Sequence, residues 1–330
     1  MKIAINGFGR IGRAVFKIAL EKGLDIIAIN DLQGVGDAAY LLKYDSVYGK
    51  YAKFVRTKGS DLLVNDKVIK VFTEADPEKL PWKKMGVDVV IESTGVFTTI
   101  ESASKHIKAG AKKVLISAPC KGPGLVIVPG VNDKSLKEND NVFSIASCTT
   151  NCLAPVIKVL NENFKIKKAF MTTVHAYTSS QSLVDGSNIK RRRGRTAGLN
   201  IVPTTTGADE AVEKVLPEMK GKLSGVAMRV PVPCGSIIDV VAEVEKKANV
   251  ENVNKSFKKA SEKELKGILE YTEEDIVSSD VIGNSHSSVF DSTFTAVNGN
   301  LVKVMAWYDN EYGYSSRMVD VVLMLKKWIK

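Results

Sequence analysis

KIAINGFGRIGRAVFKIALEKGLDIIAIND, residues 2–31, holds four features whose order decides the fold of the first half of the chain. Residues 2–6 are a short apolar run of strand character, and Gly7, Gly9 and Gly12 follow at once as GxGxxG. Ile11, Ala14, Val15, Ile18 and Ala19 recur at the i, i+3, i+4, i+7, i+8 spacing of a helix laid on a sheet, and Gly23 stops it. A second strand, LDIIAIN, leads to Asp31, about 20 residues beyond the glycines. In this setting the first glycine permits a tight turn, the second lets backbone approach a pyrophosphate, and the third lets helix and strand pack closely. The N–H groups at the helix tip then face the anion, and Asp31 can accept hydrogen bonds from the adenosine ribose hydroxyls. A lone GxGxxG is weak evidence; the four parts in register favour a dinucleotide-binding βαβ unit over a structural glycine turn.

Alternation continues through VDVVIESTG (87–95), a helical stretch after Thr99, VLISAPC (114–120) and VFSIASC (142–148), as in a doubly wound parallel sheet. Ligands of such sheets lie at the carboxyl ends of the strands, where Thr94, Gly95 and Ser117 fall. These three are candidate cofactor contacts, although small residues there also serve as loop punctuation. The 330 residues favour two domains, and the formal net charge of +10 suits anionic ligands: nucleic acid, an acidic membrane surface or phosphorylated metabolites. Four cysteines at uneven spacing give neither a disulfide framework nor a paired zinc motif, so a reducing compartment is expected and no metal. The first residues lack a signal-peptide apolar region, and no run approaches the ~20 residues of a membrane span. The expectation is a soluble, cytoplasmic protein without internal repeats.

IASCTTNCLAPVIKVLNENF (145–164) runs from a strand into a helix and puts Cys148 at the helix N-terminus. Unpaired N–H groups there stabilise a thiolate, the nucleophilic form, and lower the thiol pKa by about a unit or more. Cys152, one turn further on, belongs to the helix body and reads as packing. A cysteine nucleophile needs a base, and the chain offers three histidines. His106 lies between lysines in a helical stretch and reads as solvated; His286 is the third. His175 lies on the strand-like AFMTTVHAYT, followed by Tyr177 and Thr178. A lone histidine on a strand is more often a satisfied core residue, but here a cysteine requires a partner.

INGFGRIGR, INDLQ, LLKYDSVYG, ESTGVF, ASCTTNCLAP, TTVHAYT, PTTTGA and WYDNEYGYS, spread over the whole chain, resemble the phosphorylating glyceraldehyde-3-phosphate dehydrogenases. The resemblance implies a glycolytic or gluconeogenic enzyme that oxidises glyceraldehyde 3-phosphate with NAD and inorganic phosphate to 1,3-bisphosphoglycerate. Cys148 would attack the aldehyde to give a thiohemiacetal, His175 would take the proton, and hydride transfer would leave a thioester that phosphate releases as an acyl phosphate. An aldehyde has no good hydride to give until a nucleophile has made its carbon tetrahedral, which agrees with this order. Thr178 and Arg229 would hold the substrate phosphate; Ser147, Thr149, Arg193, Thr206 and Gly207 would serve the attacking one, arginine suiting the task by its planar fork. Asn310 and Tyr314 would orient the nicotinamide, and Arg10 and Ile11 would line the pyrophosphate turn. The family is commonly a homotetramer.

Several features depart from the family pattern or need separate weighing. Ser180 stands where many relatives have an acid, which removes a hydrogen-bond partner for Arg229. Gly186–Ser187 replaces a bulkier leucine–proline pair and leaves room for the 2′-phosphate of NADP, whereas the charge of Asp31 repels it; NAD is the expected cofactor, with dual use open. Pro129, where relatives usually have methionine, and the shortened Lys121–Gly124 stretch receive no functional account. The RRRGR run at 191–195 lacks the interleaved aromatics of a base-stacking surface, so nucleic acid is not the expected primary partner. The expected architecture is a Rossmann-type domain over 1–147 and an α/β catalytic domain over 148–313 with a largely antiparallel sheet, drawn from SGVAMRVPVP, IIDVVAEVEK and LVKVMAWYD. A final helix over 314–330, with the stripe Met318, Val319, Val322, Leu325 and Ile329, would return to the first domain. Erythrose 4-phosphate dehydrogenase, a semialdehyde or acyl-phosphate reductase, and a nucleic-acid-binding role of the basic surface are the alternatives.

Overall fold

Ile3, Ala4 and Ile5 are wholly buried, as a strand enclosed on both faces requires, and they form β1 (Lys2–Asn6) at the heart of the first of two sheets. The computed structural model describes residues 1–329, which divide into two compact units: residues 1–127, 134–146 and 315–329, and residues 128–133 and 147–314. In the first unit β1 leads into α1 (Arg10–Glu21) and β2 (Asp25–Asn30). There follow α2 (Gly34–Lys43), β3 (Val55–Lys58), β4 (Asp61–Val64), β5 (Lys67–Phe72), α3 (Trp82–Met85) and β6 (Val89–Glu92). The series ends with α4 (Ile100–Ala103), α5 (Lys105–Lys108), β7 (Lys113–Ile116) and β8 (Val142–Ser144).

The sheet order is β3-β4-β5-β2-β1-β6-β7-β8. All pairings from β5 to β8 are parallel, whereas β3, β4 and β5 form an antiparallel meander. The turn between β4 and β5 places Asn65 at φ 51°, a left-handed conformation that asparagine tolerates. The expected stretch after Thr99 is two short helices broken at Ser104, the first closed by a capping box between Thr99 and Ser102.

The second unit starts with α6 (Cys148–Phe164) and β9 (Ile166–Ala176) and continues through β10 (Val202–Thr205), α7 (Ala208–Val215), β11 (Leu223–Val230) and β12 (Ser236–Val244). It goes on to α8 (Val250–Glu262), β13 (Leu269–Thr272), β14 (Ser288–Asn298), β15 (Leu301–Tyr308) and α9 (Tyr312–Leu325), whose residues from Ser315 onward belong to the first unit. Its sheet runs β10-β11-β9-β12-β15-β14-β13 and is antiparallel except for β11 with β9 and β13 with β14. The backbone of Pro155 inside α6 cannot donate to Asn151, a defect worth about 3 kcal/mol in an exposed helix. Leu153, Val156, Ile157 and Leu160 around it are wholly buried, and each contributes about 1.5–3 kcal/mol by burial, so packing outweighs the missing bond. Met318, Val319, Val322 and Leu325 are buried along α9. Ile329 falls beyond the helix end and is only partly buried, which shortens the expected stripe by one turn.

Candidate active site

The position of Cys148 is set by a helix start. Ala146 holds a left-handed φ of 60°, and Ser147 then turns extended as the N-cap of α6, its Oγ accepting from the Thr150 N–H at 3.1 Å. Cys148 is thus the first helical residue. Its Sγ lies 3.4 Å from Nε2 of His175, which β9 carries into the site. Parallel pairing of β11 with β9 sets Arg229 opposite His175 in register, which explains how residues 54 positions apart meet. An Arg229 guanidinium nitrogen lies 2.8 Å from His175 Nδ1 and donates to the Ala176 carbonyl at 2.9 Å; the same carbonyl lies 2.6 Å from Nδ1.

These contacts define two proton arrangements. With the proton on Nδ1, the imidazole donates to Ala176 and presents the Nε2 lone pair to the thiol. With the proton on Nε2, Nδ1 accepts from Arg229 and Nε2–H donates to a thiolate. Burial, then the charge of Arg229, lowers the His175 pKa to about 3, so an isolated imidazolium is excluded at neutral pH. Burial also pushes the Cys148 thiol up, against Arg229, Thr149 and the helix-tip N–H groups, which act to lower it. The expected lowering is therefore overturned in direction: desolvation of the thiolate outweighs the helix end. The resting pair is thiol and neutral imidazole, with a short path for a proton from Sγ to Nε2. Cys152 is wholly buried and its thiol is driven further up, as a packing residue requires.

Around this pair stand hydroxyls and cations. Tyr308, fully buried on β15, lies edge-on to His175, and its OH shares hydrogen bonds with Thr149 Oγ1 at 2.9 Å and Thr173 Oγ1 at 2.8 Å. Thr178 and Ser180 hydroxyls are 2.9 Å apart, and Arg193 donates to Ser180 Oγ, Thr204 Oγ1 and the Thr205 carbonyl. Ser180 therefore joins Thr178 to Arg193. Lys190, which the sequence did not single out, donates to Thr205 Oγ1 at 2.7 Å, and its pKa is lowered by burial and then by Arg193 and Arg229. Thr206 Oγ1 accepts from the Ala208 N–H, and Gly207 precedes α7 with open space on its Cβ side. Asn310 and Tyr314 are both buried; burial raises the Tyr314 phenol well above its usual value.

In the first unit, a cavity of about 420 Å³ is lined by Gly7, Gly9, Asp31, Ser93, Thr94 and neighbouring residues. A Cβ on Gly7, at φ 89°, would stand 2.6 Å from the Thr94 nitrogen, and one on Gly12 would stand 2.1 Å from the Gly7 carbonyl oxygen. Gly9 faces open space. Asp31 uses one lone pair on each oxygen, for Phe8 N–H at 2.6 Å and Gln33 N–H at 3.0 Å, leaving acceptor capacity for ribose hydroxyls. These residues fit a dinucleotide. The Arg10 side chain is committed elsewhere, to Asp45 at 2.9 Å and over the Tyr48 ring, so Arg10 and Ile11 can serve the turn through their first-turn N–H groups. Gly95 (φ 74°) and Ser117 follow the ends of β6 and β7 as expected.

His106 is not solvated: it is wholly buried, although lysines flank it. Trp82 Nε1 donates to its Nδ1 at 2.9 Å, which places the proton on Nε2, 3.0 Å from Glu92 Oε2. Glu92 also accepts from Asn6 Nδ2 and from the N–H and hydroxyl of Thr94. This buried chain fixes Thr94 at the cavity wall, and no sequence signal marked Glu92 or Trp82 for it. His286 pairs with Glu270 at 2.9 Å, and of the three histidines His175 is the one in contact with Cys148. Among the described residues there is no cluster that could hold a metal ion.

Residues 1–100 match the glyceraldehyde 3-phosphate dehydrogenase NAD-binding domain, and residues 147–310 match the C-terminal domain of the same family. Glyceraldehyde-3-phosphate dehydrogenase of Priestia megaterium is 55% identical over 324 residues, 97% of each chain. The enzyme of that name from Borreliella burgdorferi is 53% identical over 99% of this chain and 100% of its own. A Kluyveromyces lactis relative, glyceraldehyde-3-phosphate dehydrogenase 1, is 51% identical over 98% of each chain. With a glycine turn shaped for a dinucleotide in one unit and a cysteine–histidine pair beside an arginine in the other, the chain belongs to the glyceraldehyde 3-phosphate dehydrogenase family.

Proposed function

We propose that the chain oxidises glyceraldehyde 3-phosphate with NAD and inorganic phosphate to 1,3-bisphosphoglycerate, the first unit holding the cofactor and the second carrying the chemistry. The observation that supports this most is the 3.4 Å approach of Cys148 Sγ to His175 Nε2 at the tip of α6, with Arg229 alongside. Sγ attacks the aldehyde carbon as its proton passes to Nε2, and Nε2 returns that proton to the former carbonyl oxygen, leaving a neutral thiohemiacetal on Cys148. NAD, when bound, would supply a hydride acceptor for the adduct's carbon; His175 Nε2 would take the adduct's hydroxyl proton, leaving a thioester on Cys148. Phosphate oxygen then attacks the thioester carbon, the C–S bond breaks, and the acyl phosphate leaves with Cys148 restored.

Arg229 and Thr178 hold the substrate phosphate, and Arg193, Thr206, Gly207 and Ser147 hold the attacking one; Thr149 contributes between its bond to Tyr308 and the sulfur. Gly7, Gly9, Arg10, Ile11 and Gly12 take the pyrophosphate, Asp31 the adenosine ribose, and Thr94, Gly95 and Ser117 the strand-end side of the cofactor. Asn310 and Tyr314 orient the nicotinamide. Four free cysteines suit a reducing cytoplasm. Exposed Leu183, Val184, Ile189, Leu199 and Ile201 support assembly into a homotetramer.

The test is NADH formation from glyceraldehyde 3-phosphate with and without inorganic phosphate, repeated with NADP and with erythrose 4-phosphate. Turnover that requires phosphate and favours NAD and the triose supports the proposal. Faster turnover of the tetrose moves the substrate assignment, and phosphate-independent turnover removes the acyl-phosphate step.

A further inference from the structure

Asn310 and His175 are linked by one hydroxyl. Ser236, at the start of β12 and 1% exposed, accepts from the Ala176 N–H at 3.1 Å through Oγ. Its single hydroxyl proton is then left to donate to Asn310 Oδ1 at 2.9 Å. The Gly235 N–H donates to the same Oδ1 at 3.2 Å, and Gly235 is held in place because a Cβ there would stand 2.1 Å from the Ser278 carbonyl. Both lone pairs of Asn310 Oδ1 are thereby occupied by donors. The amide nitrogen takes no partner among the described residues. Turning the amide over would set its NH2 against the Gly235 N–H, donor against donor, and would leave the Ser236 proton without its acceptor. Asn310 itself sits on a braced turn: Asp309 accepts from the N–H groups of Glu311, Tyr312 and Gly283, and from Cys234 Sγ at 3.1 Å.

We infer that Ser236 is a positioning residue for cofactor recognition: it locks the Asn310 carboxamide with its N–H donors outward, and so lets the chain read the carboxamide of the nicotinamide. The inference rests on the assignment of Asn310 to the nicotinamide. The hydroxyl is the shorter of the two bonds holding Oδ1 and the one a side-chain change can remove. Through Ala176 it also ties the orientation of Asn310 to the backbone that places His175.

The experiment measures equilibrium dissociation constants by calorimetry, without substrate, for NAD and for an analogue in which pyridine replaces nicotinamide. It compares the wild-type protein with Ser236→Ala, Ser236→Cys and Asn310→Ala. The wild type should prefer NAD, and Ser236→Ala should cut that preference about threefold to tenfold, the worth of one hydrogen bond, while binding of the analogue stays within about twofold of wild type. Ser236→Cys, which keeps a weaker donor and the chain packing, should fall between, and it carries the comparison if the alanine variant fails to fold. General damage to the fold would weaken both ligands together and overturn the positioning role. Loss of preference in Asn310→Ala but not in the Ser236 variants would overturn the role of Ser236 while leaving Asn310 in place. Equal binding of the two ligands by the wild type, or an unchanged preference in Asn310→Ala, would overturn the assignment of Asn310 and this inference with it.

Discussion

Arg229 stands at the centre of the residue-scale electrostatics, because one guanidinium touches His175 and acts on Cys148 with opposite consequences. It favours the thiolate and disfavours the imidazolium. Cys148→Ser removes the nucleophile and uncouples the pair, so His175 should show its own environment. Both burial and Arg229 oppose its charged form, which lowers the pKa to about 3; the C2 proton of His175 should therefore give a flat NMR trace from pH 8 down to about 5. Adding Arg229→Gln removes the larger of the two charges that lower it and should move the midpoint up toward the ordinary value. A midpoint near the unperturbed ~6.5 in the single variant would sink this account of the site. Cys148→Ser should also lose nearly all dehydrogenase activity while still binding NAD. The placement of Cys148 at a helix start and of His175 on a strand was legible in the sequence because a helix start and a β-branched strand carry local signals. His106 was misread, since flanking lysines say nothing of the face between them, and only the tertiary contact with Trp82 and Glu92 reveals its burial.

At the scale of elements, the turn from β1 into α1 separates a packing glycine from a ligand-facing one. Gly12→Ala would put a methyl 2.1 Å from the Gly7 carbonyl oxygen, against backbone that cannot yield, and should cost stability on the order of 1–3 kcal/mol. Gly9 has φ −69° and ψ −162°, open to any residue, and nothing within 4 Å of its Cβ position. Gly9→Ala should leave the melting temperature within about two degrees of wild type or raise it slightly, because alanine restricts the unfolded chain. It should nonetheless weaken NAD binding by about tenfold or more, since the methyl takes the space a pyrophosphate needs. Thermal melts and calorimetric titration of both variants separate the two roles; full NAD affinity in Gly9→Ala would remove the pyrophosphate from that position. The βαβ unit was legible because its glycines, helix stripe and acid lie within 31 residues. The meander β3–β4–β5 was passed over although Asn65–Asp66 is a turn signal, because VRTK and KVIKVF carry charges at exposed positions and show no long apolar run. Strand order was out of reach in the second unit: the pairing of β11 with β9 joins segments separated by a loop, a helix and another strand, and it alone brings Arg229 to His175.

On the whole-molecule scale, the excess of ten positive charges suits phosphorylated ligands but opposes self-association, so any assembly must be driven by apolar surface. The RRRGR run does not form one uniform basic patch. Arg193 is turned inward to Thr204, Ser180 and Thr205, the exposed Arg195 is neutralised by Asp185 at 2.9 Å, and Arg191 and Arg192 are exposed. The same segment exposes Leu183, Val184, Leu199 and Ile201, and leaves Ile189 with 103% of its reference area exposed. Single exposed apolar residues are ordinary, but five within one segment of a well-packed unit fit a surface that the proposed homotetramer would cover. On the proposed homotetramer, light scattering at micromolar concentration should report about four times the chain mass. Raising the salt concentration should leave that mass unchanged or favour it, because screening removes like-charge repulsion while apolar burial persists. Ile189→Glu together with Leu183→Glu should shift the population to smaller species, since burying two unpaired carboxylates costs several kcal/mol at each interface. A monomeric wild type, or an assembly that salt dissolves, would assign these side chains to something other than contacts between copies of the chain.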